Sequence, residues 1–236
     1  MSSQWKDWVI ASEQTHHLAH GVPVYRARFE HVLSFHEPGI AAVRDASGAY
    51  HIDLSGRAIY RERYIQTFGF YEGYAAVQAE DGWFHIQISG LPLYKERYNW
   101  CGNFQHGRCP VRRSDGVYRH LRLDGKNAYS DGYKYVGDYR EGSAVVQQTN
   151  GLHTHIDQDG QFSHHHWFLD LDIFHKGYAR ARDERGWHHI NRQGQAIYHQ
   201  RFAAVEPFYN GQARVEDFDN SLLVIDEQGE IIVRLR

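Results

Sequence analysis

The stretch Gly73-Tyr74-Ala75-Ala76-Val77-Gln78-Ala79-Glu80-Asp81-Gly82-Trp83-Phe84-His85-Ile86-Gln87-Ile88-Ser89-Gly90 decides the fold of this chain. Gly73 to Val77 is a run of small and β-branched residues that reads as a first strand. The polar segment Gln78 to Gly82, closed by glycine, is a hairpin signal. Trp83 to Ile88 is rich in aromatic and β-branched residues that fit a pleated, half-buried surface, so it reads as the second strand. Ser89-Gly90 reads as a tight two-residue turn. Leu91-Pro92-Leu93-Tyr94 opens a third strand, with Pro92 tolerable near a strand start. Arg97-Tyr98-Asn99-Trp100 then leads through a less regular stretch, with a short fourth strand, to Phe104.

The same pattern recurs along the whole chain. Its clearest marker is a glycine behind the second strand, at Gly21, Gly56, Gly90, Gly125, Gly160, Gly194 and Gly229, spaced by 34 or 35 residues. An aromatic residue stands fourteen positions after each of the first six: Phe35, Phe70, Phe104, Tyr139, Phe174 and Phe208. Gly39, Gly73, Gly107, Gly142, Gly177 and Gly211 open the small-residue strand, and two positions later come Ala41, Ala75, Cys109, Ala144, Ala179 and Ala213. Three markers at one period define a tandem repeat. The units run over 1–34, 35–69, 70–103, 104–138, 139–173, 174–207 and 208–236, and together they read as a single all-β repeat domain. Sustained 3.6-residue apolar periodicity is missing, so little helix is expected.

Composition agrees and narrows the function. The 236 residues include 16 Tyr, 12 Phe and 6 Trp, a bias toward strands. Net charge is −3 with both signs interspersed, so the basic stripe of a nucleic-acid binder is missing. No apolar run is long enough to span a membrane, and Met1-Ser2-Ser3-Gln4-Trp5-Lys6-Asp7-Trp8 lacks the apolar stretch of a secretory leader. Cys101 and Cys109 are too few for a disulfide framework, which points to a reducing, cytoplasmic setting. Cys109 stands where other units carry Ala, as a small buried side chain would.

Units of three to four short antiparallel strands suit a seven-bladed β-propeller, favoured here over an open β-solenoid because the small-residue strand fits a crowded position. Trp83 with Ile86, Gly90, Tyr98 and the following Phe-x-x-Gly-x-Ala-x-Val resembles the WG repeat family of bacterial proteins over essentially the whole chain. The tryptophan of that pattern stands only at Trp83 and Trp187, and Phe84 and His188 replace the glycine after it. The resemblance implies an all-β repeat domain that often accompanies other domains, and it supplies no catalytic residues.

Six of the 18 histidines occupy one place in the unit, five before the marker glycine: His16, His51, His85, His120, His155 and His189. With a two-residue turn, that position faces the one four after the glycine: Tyr25, Tyr60, Tyr94, Tyr129, His164 and Tyr198. The seventh unit changes both members at once, to Val224 and Val233, as a cross-strand contact requires. The ladder therefore reads as a set of structural His–Tyr pairs. One hairpin departs: His153-Thr154-His155 and His164-His165-His166 place His153 opposite His166 and His155 opposite His164, four imidazoles on one face. Imidazole is the commonest metal ligand, so this cluster is the candidate site for Zn²⁺ or another transition metal in a chain otherwise expected to carry no cofactor.

A second recurrent feature, Tyr-x-x-Arg-Phe/Tyr, appears at Tyr25-Arg28-Phe29, Tyr60-Arg63-Tyr64, Tyr94-Arg97-Tyr98 and Tyr198-Arg201-Phe202. Its periodicity favours arginine stems covering aromatic rings over a ligand surface. Where the repeat is broken, a ligand can be read: Tyr133, Lys134, His164, His166 and Trp167 are the candidate contacts. No nucleophile elbow, phosphate loop or His-Glu-x-x-His motif occurs. The favoured reading is a non-catalytic binding or scaffold module for a peptide, a protein or a partner catalytic domain. The stretch Ile231 to Arg236, inside a unit, suggests a repeat domain of a larger polypeptide or enzyme. The alternatives are a metal-dependent enzyme or metal-binding protein using the histidine cluster, and a glycan-binding propeller.

Overall fold

The computed structural model describes residues 4–236; the first three residues of the stretch read for a leader lie outside the described residues. The described chain is all-β apart from one 3-10 turn at Gln4–Asp7. Seven antiparallel sheets follow one another, six of three strands and the last of four. The chain forms two compact units, and the division falls inside the strand Tyr118–Arg122.

The N-terminal unit shows the rule. Its second sheet orders His31–Val32, Ala41–Asp45 and Gly48–Ile52; its third orders Gln66–Thr67, Tyr74–Ala79 and Gly82–Gln87. The small-residue strand is the central one in each, and Ala41, Ala75 and Cys109 are fully enclosed. Small side chains there let flanking aromatics close over the sheet at native density. The short edge strand comes from the end of the preceding sequence unit. Tyr64 exchanges two backbone hydrogen bonds with Ala49 of its own sheet, and Ile65 donates at once to Gln78 of the next. The chain is thus stitched from sheet to sheet within one residue.

The third strand expected from Leu91-Pro92-Leu93-Tyr94 shrinks to an isolated bridge between Ile86 and Pro92. Pro92 cannot donate to a ladder, and Leu93 bonds back to the His85 carbonyl instead. A regular strand at this place appears only in the first sheet, Val22–Pro23, and the last, Ile231–Arg234.

The C-terminal unit repeats the order with Tyr135–Val136, Ser143–Gln147 and His153–Asp157, then Asp170–Leu171, Ala179–Asp183 and Gly186–Ile190. Ala204–Val205, Gln212–Glu216, Leu222–Asp226 and Ile231–Arg234 complete the last sheet. The periodic aromatics fill the space between sheets: Phe70, Phe104, Tyr139, Phe174 and Phe208 are all at most 3% exposed. Each contributes about 2–3 kcal/mol of burial.

The marker glycines from Gly56 onward close three-residue loops rather than two-residue turns. Asp53 accepts from Gly56 and donates to Arg57, and Gly56 takes a left-handed φ of 79°. A Cβ at Gly56 would also lie 2.8 Å from the Tyr25 ring, and one at Gly90 2.8 Å from Tyr60. Two demands, backbone handedness and contact with the preceding unit, converge on this position. The backbone of the fifth residue before the glycine now meets the third after it, yet the expected His–Tyr contact still forms through the side chains of His51, His85, His120 and His189. In the last sheet a register shift follows Ile225↔Ile231 and sets Val224 directly opposite Val233.

Candidate functional site

The ladder histidines are fixed on three sides. His85 Nδ1 meets the Tyr94 hydroxyl at 2.6 Å, Nε2 meets the Gly102 carbonyl at 2.9 Å, and the ring packs on Phe104 at 4.8 Å. A carbonyl only accepts, so Nε2 carries the proton and Nδ1 accepts from the tyrosine O–H. His120 and His189 repeat this with Tyr129 and Tyr198 at 2.6 Å. His51 does so with Tyr60 and the Phe68 carbonyl. In every case the carbonyl lies seventeen residues on, in the segment leading to the next sheet, so the imidazole clips two sheets together.

Burial holds these rings neutral. Desolvation, only partly offset by the carbonyl bond, lowers His51, His85 and His189 to about 4. The tyrosines move the other way for the same reason, Tyr25 to about 12 and Tyr60 further.

In the first unit the clip is His17, not the expected His16. His17 bonds Tyr25 at 2.5 Å and the Leu33 carbonyl at 3.0 Å. The cause is the turn: Ala19 pairs with Val22, so His20-Gly21 is a true two-residue loop, one residue shorter than the others. His16 instead lies beside Thr15 and Glu13.

The arginines of Tyr-x-x-Arg are likewise internal. Arg63 donates to the carbonyls of Tyr60, Arg61 and Glu62 and lies 3.6 Å over the Tyr50 ring. Arg97 and Arg201 bond the carbonyls of their own loops and pair with Asp81 and Asp183. The arginine closes its loop over an aromatic face.

The hairpin His153–Phe168 breaks both rules. His155 keeps its carbonyl bond, to Asp172 at 2.9 Å, and stacks on Phe174 at 4.1 Å and 24°. Its Nδ1, however, accepts from His164 Nε2 at 3.0 Å, and His164 Nδ1 accepts the backbone N–H of His166 at 3.3 Å. A directed chain of hydrogen bonds thus runs from His166 through two neutral imidazoles to Asp172. Desolvation lowers His155 to about 3 and His164 to about 4.

The expected opposition of His153 and His166 is not found, because His153 exchanges backbone bonds with Phe168. His155 and His164 are buried with their ring nitrogens engaged, while His166 is exposed. Among the described residues no group of three or more His, Cys, Asp or Glu is arranged to hold a metal ion.

Tyr133 is buried and pairs with the Tyr118 backbone, matching Tyr64 and Tyr98 of other units, so it belongs to the repeat framework. Lys134 is exposed, and its N–H is held by the Gln147 carbonyl. Trp167 stands where the clamp arginine would be. It is half-buried and meets Phe162 edge-to-face at 5.2 Å, with Phe162 42% exposed and Leu169 beside it in sequence 42% exposed. Phe162 escaped the sequence reading although it was legible as the aromatic one step past Gly160-Gln161, where other units carry Ala58, Pro92 and Ala196. The structure therefore brings Phe162 beside Trp167 and His164 beside His166, and leaves Tyr133 and Lys134 outside both pairs.

No protein-family model and no curated protein matches the chain. Solved structures do. BamB from Moraxella catarrhalis is 14% identical over 91% of this chain and 77% of its own, with a TM-score of 0.50. Hsv2 of Kluyveromyces lactis, with its loop 6CD replaced by a Gly-Ser linker, is 11% identical over 86% and 84%, with a TM-score of 0.50. The WD40 β-propeller domain of Doa1 is more distant, 11% identical over 84% and 79%, with a TM-score of 0.38. The class is that of the β-propeller proteins, built here from seven small antiparallel sheets. Among the described residues no helix is long and apolar enough to cross a membrane.

Proposed function

We propose that this chain is a non-catalytic binding scaffold of the WG-repeat kind, and that it recognises a peptide or protein segment through the hairpin His153–Phe168. One observation carries the reading: half-buried Trp167, edge-to-face with exposed Phe162, occupies the place where other units close an arginine over their own loop. Rigid aromatic rings bring large contact area at little entropic cost, which is why Trp and Tyr dominate binding hot spots. Loss of the arginine also removes the guanidinium donor that caps the loop carbonyls elsewhere, and here the Thr154 hydroxyl donates to the His166 carbonyl instead. Free, buried Cys101 and Cys109 accord with a reducing compartment such as the cytoplasm.

Panning a phage-displayed random-peptide library on the full chain tests the proposal. Enriched peptides are expected to bind the wild type and to lose at least tenfold in affinity on Trp167→Ala, with an unchanged melting temperature. Peptides that bind Trp167→Ala as tightly as the wild type would contradict it.

A further inference from the structure

The turns that open the central strands carry a second, independent pattern. Lys176-Gly177 forms a two-residue turn with φ of 53° and 84°, closed by reciprocal bonds between His175 and Tyr178. Its two N–H groups point to one side, and the Glu141 carboxylate sits on them: Lys176 N donates to Oε1 at 2.7 Å and Gly177 N to Oε2 at 3.1 Å. Arg192 completes the seat at 2.7 Å from Oε2. In the N-terminal unit the His106-Gly107 turn has the same handedness, and Gly107 N donates to the Glu72 carboxylate at 2.8 Å. Two left-handed residues in succession make a concave set of backbone donors suited to an anion. In both turns the anion is a glutamate from the preceding turn, 35 residues earlier.

Asn210-Gly211 is the same turn, with φ of 51° and 76° and reciprocal bonds between Tyr209 and Gln212. The residue in the place of Glu141 is Lys176, a cation that cannot accept. Its ammonium lies 4.7 Å from the Tyr209 ring centroid, at the margin of the turn. The N–H groups of Asn210 and Gly211 have no hydrogen-bond partner among the described residues, and Tyr209 is 70% exposed. Of the five turns of this handedness that open central strands among the described residues, those at His106-Gly107 and Lys176-Gly177 take a carboxylate of the chain, whereas Asn210-Gly211 offers its two donors with a positive charge beside them.

We infer that the Asn210-Gly211 turn, with Lys176, is a seat for the carboxylate of an acidic peptide segment. The ligand class follows from the two filled seats, both of which hold a glutamate carboxylate, one oxygen per donor in the Lys176-Gly177 turn. One opposing group stands nearby in the repeat pattern: Glu227 occupies the place of Arg192 and is held by the Tyr178 hydroxyl at 3.1 Å. Its negative charge opposes the binding of an anion at this turn. The inference rests on the reading of the chain as a peptide-binding module, to which it adds an acidic residue as one element of the ligand.

The test is ¹H–¹⁵N NMR of the full chain titrated with acetyl-glutamate amide, with acetyl-glutamine amide as the neutral isostere. Saturable shifts of the Asn210 and Gly211 amides are expected with the glutamate probe alone. Lys176→Glu is expected to shift both amides downfield without any probe, as its own carboxylate takes the seat, and to abolish the response to added probe. Glu227→Gln is expected to tighten the probe. Equal shifts from both probes, or a glutamate response that survives Lys176→Glu, would overturn the seat. Library peptides that need Trp167 but are indifferent to Lys176→Glu would leave the module standing and remove the carboxylate seat alone.

Discussion

The hairpins Gly186–Phe202 and His153–Phe168 are adjacent units of one repeat, yet they use the same positions differently. In the first, His189 bonds Tyr198, and Arg201 closes the loop and pairs with Asp183. In the second, His155 bonds His164, and Trp167 lies half-exposed against Phe162. The clip to the next sheet survives in both, through Glu206 and Asp172 carbonyls at 2.8 and 2.9 Å. What differs is the outward side. The contact that joins sheets is kept in both, whereas the loop position that carries Arg201 in one hairpin carries Trp167 in the other. The comparison separates the part of the unit that holds the fold from the part that is available for recognition.

The largest effect expected is collective and depends on pH. His51, His85 and His189 titrate at about 4 when folded and His155 at about 3, against roughly 6.5 in an unfolded chain. Below pH 6.5 the unfolded chain binds protons that the folded chain refuses, so stability is full above that value and falls until the folded values are reached. Each clip loses on the order of 3 kcal/mol across this window. Melting temperatures recorded between pH 7 and 4 are expected to drop steeply, with several protons taken up on unfolding. A flat profile would show that the clips are not buried neutral groups.

Single clips come next. His189→Ala removes two hydrogen bonds and the Phe208 contact, and leaves a buried hydroxyl and a carbonyl without partners, at a cost of about 4 kcal/mol in denaturant unfolding. His155→Ala is expected to cost as much, since the clip is shared by both hairpins.

Glycine substitutions sharpen the point. Gly229→Ala meets the Tyr198 side chain at 2.7 Å in addition to its left-handed backbone and is expected to cost about 3 kcal/mol. Gly21→Ala, with φ of 80° but nothing within 4 Å, is expected to cost about 1 kcal/mol.

The smallest change is expected from His164→Tyr, which restores the regular pair. A tyrosine hydroxyl donating directly to His155 Nδ1 is expected to leave stability equal or raise it by about 1 kcal/mol. If the imidazole pair instead serves a partner, peptide binding falls while stability does not.

Much of this was legible in the residues. The marker glycines, the enclosed small-residue strand and the His–Tyr facing follow from one-dimensional spacing, because a repeat places the same contact at the same interval. The paired change to Val224 and Val233 appears as a direct cross-strand pair. Loop length was not legible. A two-residue turn and a three-residue loop with a left-handed glycine share the same glycine signal, and the difference moved the first clip from His16 to His17. His166 was also set opposite His153, where the structure has Phe168, two residues further on, because the pairing is interrupted between Ser163 and Phe168. Tyr133 looked like a departure, but its burial shows a framework aromatic. The carboxylate seats lay beyond reach because they join residues of different sheets. Glu141 meets Lys176 and Gly177 only once stacking has brought the turns together.

The central claim is that the histidine ladder is a row of neutral structural clips, with recognition assigned to the solvent side of one hairpin. Long-range ¹H–¹⁵N spectra of the imidazoles, followed from pH 7.5 to 5, test it most directly. His51, His85, His155 and His189 are expected to show one neutral form, protonated on Nε2 only, unchanged down to pH 5. Titration of these rings near pH 6.5, or a mixture of tautomers, would contradict the account.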